Sequence, residues 1–139
     1  MPIKYCVQQR DYWCGPACAQ MLLGRGPQTF FAQKLRTNAK IGTTRKAIVQ
    51  LLKSSGKAPT VFARSTLHDL SQHLPALVSY EEVGGEDHYA IALQVTEKHI
   101  ILHDPWHGPK YRLPIATFNR RWNNPKRRKK YTGWFLTLV

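Results

Sequence analysis

A chain of 139 residues can form one domain that buries about two-thirds of its unfolded surface without disulfide or metal support. Hydrophobic residues make up 42% of it, and its fifteen aromatic residues (four Trp, six Tyr and five Phe) argue against disorder. The net charge of +13 is uneven, since no acid follows Asp104 and half of the eight acids lie at 81–87. We therefore predict a single domain, 1–139, with a cationic C-terminal surface and an anionic one at 81–87.

The three cysteines, Cys6, Cys14 and Cys18, cannot all be joined in intramolecular disulfides, and a reducing compartment suits them better. The first residues lack the basic and apolar stretches of a signal peptide, and no apolar run approaches the length of a membrane span. We expect a protein without a membrane segment that is cytoplasmic as made.

Helices are predicted in the first half of the chain, after an extended arm at 3–9. Apolar residues at helical spacing, with glycine and proline at the ends, place these helices at 14–23, from Pro27 to about Asn38, and from Thr43 or Thr44 to Gly56. The second of them is expected to turn Phe30, Phe31 and Leu35 inward.

Strands are predicted in the second half, where the apolar period changes. They are expected at 59–63, 76–80, 88–95, 99–104, 111–113 and 134–139, with short helices at 66–73 and 115–122 and a mobile basic loop at 123–130. Helices followed by an antiparallel sheet predict the α+β class, with the N-terminal helices packed on the sheet.

Cys14 stands where the extended arm becomes the first helix. Unpaired backbone N–H groups and the positive end of the helix dipole favour a thiolate at this position. Gly15 lets another backbone approach closely and is predicted to contact substrate, and Pro16 costs little because an N–H in the first turn would be unpaired anyway. Cys14 is therefore predicted to be a nucleophile.

His88 and Asp104 are predicted to be neighbours in the hairpin formed by 88–95 and 99–104. A turn centred on Thr96 puts Ala92 opposite Ile100 and His88 opposite Asp104, at a separation suited to a hydrogen bond. These even-numbered residues share one face of the sheet, and we expect the first helix to pack on that face.

Cys14, His88 and Asp104 together have the parts of a cysteine peptidase. Cys14 would attack a carbonyl carbon, His88 would exchange the proton, and Asp104 would orient the imidazole. The oxyanion needs donors, for which the Cys14 backbone N–H and the side-chain amide of Gln8 or Gln9 are candidates.

The chain resembles the double-glycine peptidases, which are papain-like cysteine peptidases. The resemblance runs from Gln8 to about Gly108 and rests on four motifs: Gln8 six residues before Cys14, the run from Cys14 to Cys18, His88-Tyr89, and Asp104-Pro105. It implies the papain-like fold and selects Gln8 over Gln9 as the oxyanion donor.

The resemblance also implies a substrate, which is a peptide or protein cut after Gly-Gly. Family members commonly remove leader peptides at the N-terminus of a membrane-spanning exporter. Stand-alone relatives include toxins that are delivered into the cytoplasm of a rival bacterium and blocked by a cognate immunity protein. Both uses are compatible with this chain, and neither requires a cofactor.

Several alternatives remain open for individual residues. Trp13, beside Cys14, and Trp106, after Asp104, would narrow a substrate groove to glycine-sized residues, or they are simply core or rim aromatics. A zinc site formed by Cys14, Cys18 and two histidines is the competing chemistry, but it leaves the pairing of His88 with Asp104 unexplained. We therefore predict no metal.

A nucleic-acid-binding module without catalysis is the alternative from a different class. In that case the basic tail would track phosphates, while aromatic rings stack on bases. The rings available for stacking are those of Trp122, Tyr131 and Trp134.

Overall fold

The fold combines five helices with a six-stranded sheet in the computed structural model, which describes residues 2–82, 86–127 and 131–138. The helices are α1 (Cys14–Leu23), α2 (Gln28–Lys34), α3 (Arg45–Ser54), α4 (Leu67–Ser71) and α5 (Ile115–Trp122). The strands are β1 (Thr60–Phe62), β2 (Ala76–Glu81), β3 (Asp87–Val95), β4 (His99–Asp104), β5 (Gly108–Pro114) and β6 (Phe135–Thr137). All pairs are antiparallel, in the order β1-β6-β2-β3-β4-β5, which confirms the α+β prediction.

The sheet lies between two helical layers, because side chains that alternate along its strands divide the core into two clusters. On one face, Tyr89 and Ile91 of β3 pack with buried residues of α1, α2 and α3. On the other face, Ala90 and Ala92 pack with buried residues of α4 and α5.

Helix α1 packs on the face of the sheet opposite to His88. Cys18 and Met21 of α1 belong to the cluster that contains Tyr89 and Ile91. His88 instead meets Tyr80, whose ring belongs to the other cluster. The prediction that α1 packs on the His88 face is therefore wrong, because α5 covers that face. Cys14, the first residue of α1, meets His88 where the helix and β3 both begin.

The hairpin of β3 and β4 differs in register from the prediction and contains a bulge. Ala92 pairs with Leu102 and not with Ile100, whereas Ile100 pairs with Val95. The register shifts by one residue between Ala92 and Gln94. Without that shift, Asp104 would lie on the face of the sheet that packs against α1. The bulge returns Asp104 to the face of His88.

Helix α2 turns only part of its predicted apolar set inward. Phe31 and Leu35 are 1% and 3% exposed, but Phe30 is 46% exposed. Residues four apart share one face of a helix, whereas adjacent residues point about 100° apart, so Phe30 cannot join the other two.

The oppositely charged surfaces predicted at 81–87 and in the C-terminal tail are partly paired with each other. The Arg127 side chain is only 4% exposed and lies 3.0 Å from Asp87 Oδ1 and 3.7 Å from Glu81 Oε1. Arg45 of α3 lies 3.2 Å from the second oxygen of Asp87. The prediction of a mobile basic loop is therefore wrong at Arg127, and its part at 128–130 lies outside the described residues.

Candidate active site

Cys14 begins α1, where the helix has no preceding turn to bond its first N–H groups. The first backbone bond of the helix runs from the Ala17 N–H to the Trp13 carbonyl, and no side chain caps the N-terminus. The N–H groups of Cys14 and Gly15 therefore precede the helical hydrogen-bond ladder, and Pro16 has none. This end of the helix favours negative charge near the Cys14 sulfur.

His88 lies between Cys14 and Asp104. Its Nε2 is 2.7 Å from Asp104 Oδ1, and the ring borders the same cavity as Cys14, close enough for the Cys14 side chain to raise the pKa of the imidazole. Because Nε2 is engaged by the carboxylate, Nδ1 is the ring nitrogen left for sulfur. Both His88 and Asp104 are buried, so water screens these interactions weakly.

Asp104 is held by four hydrogen bonds to its carboxylate. Tyr80 donates its hydroxyl to Oδ2 at 2.5 Å, while the backbone N–H groups of Trp106 and His107 donate to Oδ1 at 3.0 Å each, beside the bond from His88. The Tyr5 hydroxyl also donates to the Asp104 carbonyl at 2.8 Å. These contacts fix the oxygen that orients the His88 ring.

Protonation of the pair follows from these contacts. Burial alone would lower the pKa of His88. Its interactions with Asp104 and Cys14 have a larger effect in the other direction, and they raise this pKa to about 10. Burial would raise the pKa of Asp104, but the hydrogen bond and charge of His88 and the Tyr80 hydroxyl lower it. At neutral pH, therefore, an imidazolium lies beside an ionised carboxylate.

Cys6 and Cys18 lie in different surroundings from Cys14. Burial raises the pKa of Cys18 well above its usual value, and Cys18 is fully enclosed by the core. Burial also raises the pKa of Cys6. Both thiols are thus kept protonated at neutral pH, as structural cysteines are.

Gln8 stands at the edge of the site on the arm before α1. Its backbone N–H donates to the Pro105 carbonyl at 3.1 Å, which joins the arm to the loop after Asp104. Its side-chain Nε2 donates to the carbonyls of Arg10 and Asp11 at 2.8 and 2.9 Å, while its buried Oε1 has no partner among the described residues. An oxyanion would have to replace one of the two carbonyls.

Cys14 and His88 line one cavity of about 500 Å³, which is also bordered by Tyr12, Thr43 and Tyr89. The structure places Trp106, which is 58% exposed, in an adjoining depression with Gln8 and His88.

Trp13 and Gly15, the other two predicted substrate-binding residues, lie elsewhere. Trp13 is buried and faces a separate depression with Arg10 and Ala32. Gly15 is buried against Thr43. Of the three residues predicted to contact substrate, the structure brings only Trp106 to the opening beside His88.

The described residues do not assemble the alternative zinc site. The side chains among them that lie close enough to share a metal ion are those of Glu82, Asp104 and His107, and this group includes neither Cys14 nor Cys18. Its members already have partners, since His107 Nε2 is 2.9 Å from Glu82 Oε1 and Asp104 bonds His88.

The sequence analysis missed Tyr80. Tyr80 ends the apolar run of β2 and lies directly opposite His88 on β3. Consecutive strands are usually neighbours in a sheet, so pairing 76–80 with 88–95 could have identified it.

Replacing Asp104 with asparagine should move the alkaline limit of peptidase activity to lower pH. The variant loses the charge that favours the His88 imidazolium, while burial continues to lower the pKa of His88. We expect wild-type activity to fall as the pH rises toward about 10, where His88 loses the proton that a leaving amine needs. Protonation of His88 also contributes to the stability of the fold. This contribution is fully present below pH 6.5, the ordinary pKa of histidine, and is lost as the pH rises through about 10.

The measurement is a kcat/KM profile against pH for the wild type, Asp104→Asn and Tyr80→Phe. Tyr80→Phe retains the charge of the carboxylate, so its shift should be smaller. At neutral pH, Asp104→Ala should lose about 10- to 100-fold less activity than Cys14→Ala, because the orienting group forms no bond to substrate. An unmoved alkaline limit in Asp104→Asn would contradict this account of the His88 pKa.

A family model described as the Peptidase C39 family matches residues 2–125. A search of curated proteins finds no match. Among the described residues, no helix has the length and apolar character needed to cross a bilayer.

Solved structures with the same fold include peptidase domains of transporters. The peptidase domain of Streptococcus ComA, a bifunctional ABC transporter in a quorum-sensing pathway, has a TM-score of 0.81 and 22% identity, with 99% of this chain and 98% of that chain covered. The double-glycine motif protease of an AMS/PCAT transporter, in complex with the leader peptide, has a TM-score of 0.78 and 15% identity, with coverage of 98% and 90%. The peptidase domain of Streptococcus mutans ComA with a small-molecule inhibitor has a TM-score of 0.72 and 24% identity, with 98% of each chain covered.

Proposed function

Because this chain belongs to the peptidase C39 family and is a cysteine peptidase, we propose that Cys14, His88 and Asp104 are its catalytic triad. The observation that supports the proposal is the position of His88, which bonds the Asp104 carboxylate at 2.7 Å and borders one cavity with Cys14. In this proposal Cys14 is the nucleophile, His88 the base and Asp104 the group that orients the base.

The chemistry follows in two steps. The Cys14 sulfur attacks the carbonyl carbon of the scissile peptide bond, and the His88 imidazolium gives its proton to the leaving nitrogen as the C–N bond breaks. Neutral His88 then removes a proton from water, which attacks the thioester. The C–S bond breaks and the acid leaves, so the sulfur is again a thiolate beside the His88 imidazolium. Asp104 keeps the imidazole in one tautomer throughout.

The oxyanion that forms at each attack needs donors on the Cys14 side of the site. The Cys14 backbone N–H, which precedes the helical ladder, is the first donor that we propose. Gln8 is the second, and its Nε2 would exchange the bond to the Asp11 carbonyl for one to the oxyanion. The developing negative charge is a better acceptor than that neutral carbonyl, which favours the exchange.

We propose a peptide substrate with Gly-Gly immediately before the cleaved bond. A solved protease with the same fold is a double glycine motif protease. Tyr12, Thr43 and Tyr89 border the cavity at Cys14, where the residue under attack would lie. Trp106 borders a depression beside His88. Because His88 would protonate the leaving amine, the Trp106 ring would contact the substrate residues that follow the cleaved bond.

A leader peptide is the substrate class that we favour over a protein of a rival cell. The AMS/PCAT protease, which has the same fold, has been solved in complex with the leader peptide. No described contact favours a toxin with an immunity protein, or a nucleic-acid-binding module without catalysis.

The experiment compares cleavage of a peptide that contains one Gly-Gly with variants in which valine replaces either glycine. Valine at the second glycine should lower kcat/KM by about 10- to 100-fold, because its branched carbons would have to fit against Tyr12, Thr43 and Tyr89. Valine placed five residues earlier in the peptide is the control and should have a smaller effect. Equal cleavage of Gly-Gly and Val-Val peptides would refute the Gly-Gly preference, but not the triad.

A further inference from the structure

Thr43 contacts the residue next to each member of the proposed catalytic pair. It lies in the loop before α3, is 8% exposed and borders the same cavity as Cys14 and His88. Nothing in the proposed chemistry uses its side chain. Its contacts, however, reach the residue that follows Cys14 and the residue that follows His88.

On the Cys14 side, Thr43 packs against Gly15. A methyl group added at Gly15 would lie 2.3 Å from Thr43 Oγ1 and 2.5 Å from its Cβ, far inside van der Waals contact. The Thr43 hydroxyl is also 2.7 Å from the Thr37 hydroxyl, which fixes its rotamer. The first turn of α1 therefore rests directly on this side chain.

On the His88 side, Thr43 is bonded to β3 by its backbone. Tyr89 donates its buried hydroxyl to the Thr43 carbonyl at 2.8 Å. Burial raises the pKa of Tyr89, so the hydroxyl retains the proton that it donates. Two residues further on, Arg45 bonds Asp87 at 3.2 Å, so this short segment is attached to β3 on both sides of His88.

From these contacts we propose that Thr43 is a positioning residue that sets the separation between the Cys14 sulfur and the His88 ring. The inference rests on the proposed roles of Cys14 and His88. The sulfur and the ring belong to elements in different layers, and Thr43 is in contact with the neighbour of each. If its side chain is trimmed, α1 can shift relative to β3, and the separation between the thiol and the imidazole changes.

The pKa of His88 reports this separation without any need for turnover. Cys14, at the start of α1, is one of the groups that raise that pKa. Asp104, which Tyr80 holds by a hydrogen bond, raises it from the face of the sheet that α1 does not cover. Changes at Thr43 leave those two partners in place. A change in the measured pKa therefore reflects the distance to Cys14.

The test uses NMR titration of labelled histidine, with the His88 signal assigned by its loss in His88→Ala. Thr43→Ala and Tyr89→Phe should each lower the His88 pKa toward its value in Cys14→Ala. They should also lower kcat by about 10- to 100-fold with KM nearly unchanged, as expected for a small misplacement of reacting groups. In a Cys14→Ala background, Thr43→Ala should cause no further change in the pKa.

Thr137→Ala is the matched control, because Thr137 is also buried and donates its hydroxyl to the backbone, at His73. It should reduce stability but leave the His88 pKa unchanged. An unchanged pKa in both Thr43→Ala and Tyr89→Phe, or an equal shift when Cys14 is absent, would overturn the inference. If Thr43→Ala does not fold, the His88 pKa measured in Tyr89→Phe alone decides the inference. Failure of the proposed triad shows separately, as cleavage that survives Cys14→Ala.

Discussion

Cys14→Ala is expected to abolish cleavage of a Gly-Gly peptide while the protein stays folded. The methyl group retains the helix and its packing but removes the sulfur that attacks the carbonyl carbon. Losing the nucleophile of a triad costs on the order of 10⁶ in kcat, which puts the remaining rate below ordinary detection. The measurement is single-turnover cleavage followed by mass spectrometry, with circular dichroism and the melting temperature as checks on folding.

Cys6→Ala is the matched control for this variant. Cys6 is a partly buried thiol whose nearest polar contact is the Lys4 carbonyl at 3.7 Å, so it has no place in the chemistry. It should retain wild-type kcat/KM. Cleavage by Cys14→Ala at more than about one-hundredth of the wild-type rate would mean that another group attacks the substrate.

His88→Ala should cause a loss nearly as large. Without the imidazole, the Cys14 sulfur loses its hydrogen-bond partner, and the leaving nitrogen loses its proton donor. Because the two groups act as one unit, the double variant Cys14→Ala/His88→Ala should be no worse than either single variant. Single-turnover kinetics of the three variants measures this non-additivity.

His99→Ala provides the histidine control, since His99 lies at the start of β4, on the far side of the hairpin from the cavity. Its activity should equal that of the wild type. Losses from Cys14→Ala and His88→Ala that multiply in the double variant would show two independent contributions and would contradict a single catalytic unit.

Local patterns were sufficient to predict several elements and the central pair. The end of α1 follows from Gly24 and the start of α5 from Pro114, together with apolar residues at helical spacing. His88 and Asp104 share one face as predicted, but this depends on the bulge between Ala92 and Gln94. Because Ile91 pairs with His103, the prediction that His88 lies directly opposite Asp104 is wrong. Gln8 was selected by the resemblance alone, and the structure shows its Nε2 bonded to backbone carbonyls.

The errors arise where long-range packing decides. The bulge near Leu93 shifts the hairpin register, and no residue type in that run announces it. The layer on which α1 packs depends on α5, which is remote in sequence. Arg127 looked solvated among its basic neighbours, but Asp87 and Glu81 lie beside it only after the sheet forms. No sequence pattern indicated a role for Thr43 at the site, because that role depends on its contacts with Gly15 and Tyr89 in the folded chain.

Labelling with a peptide chloromethyl ketone that ends in Gly-Gly tests the central claim most directly. The sulfur that attacks substrate should displace chloride and retain the peptide, which intact-mass measurement and peptide mapping locate. We predict one adduct, on Cys14, that is lost in Cys14→Ala and strongly slowed in His88→Ala. An adduct on Cys6 or Cys18, or active enzyme that acquires none at Cys14, would contradict the assignment of Cys14 as the nucleophile.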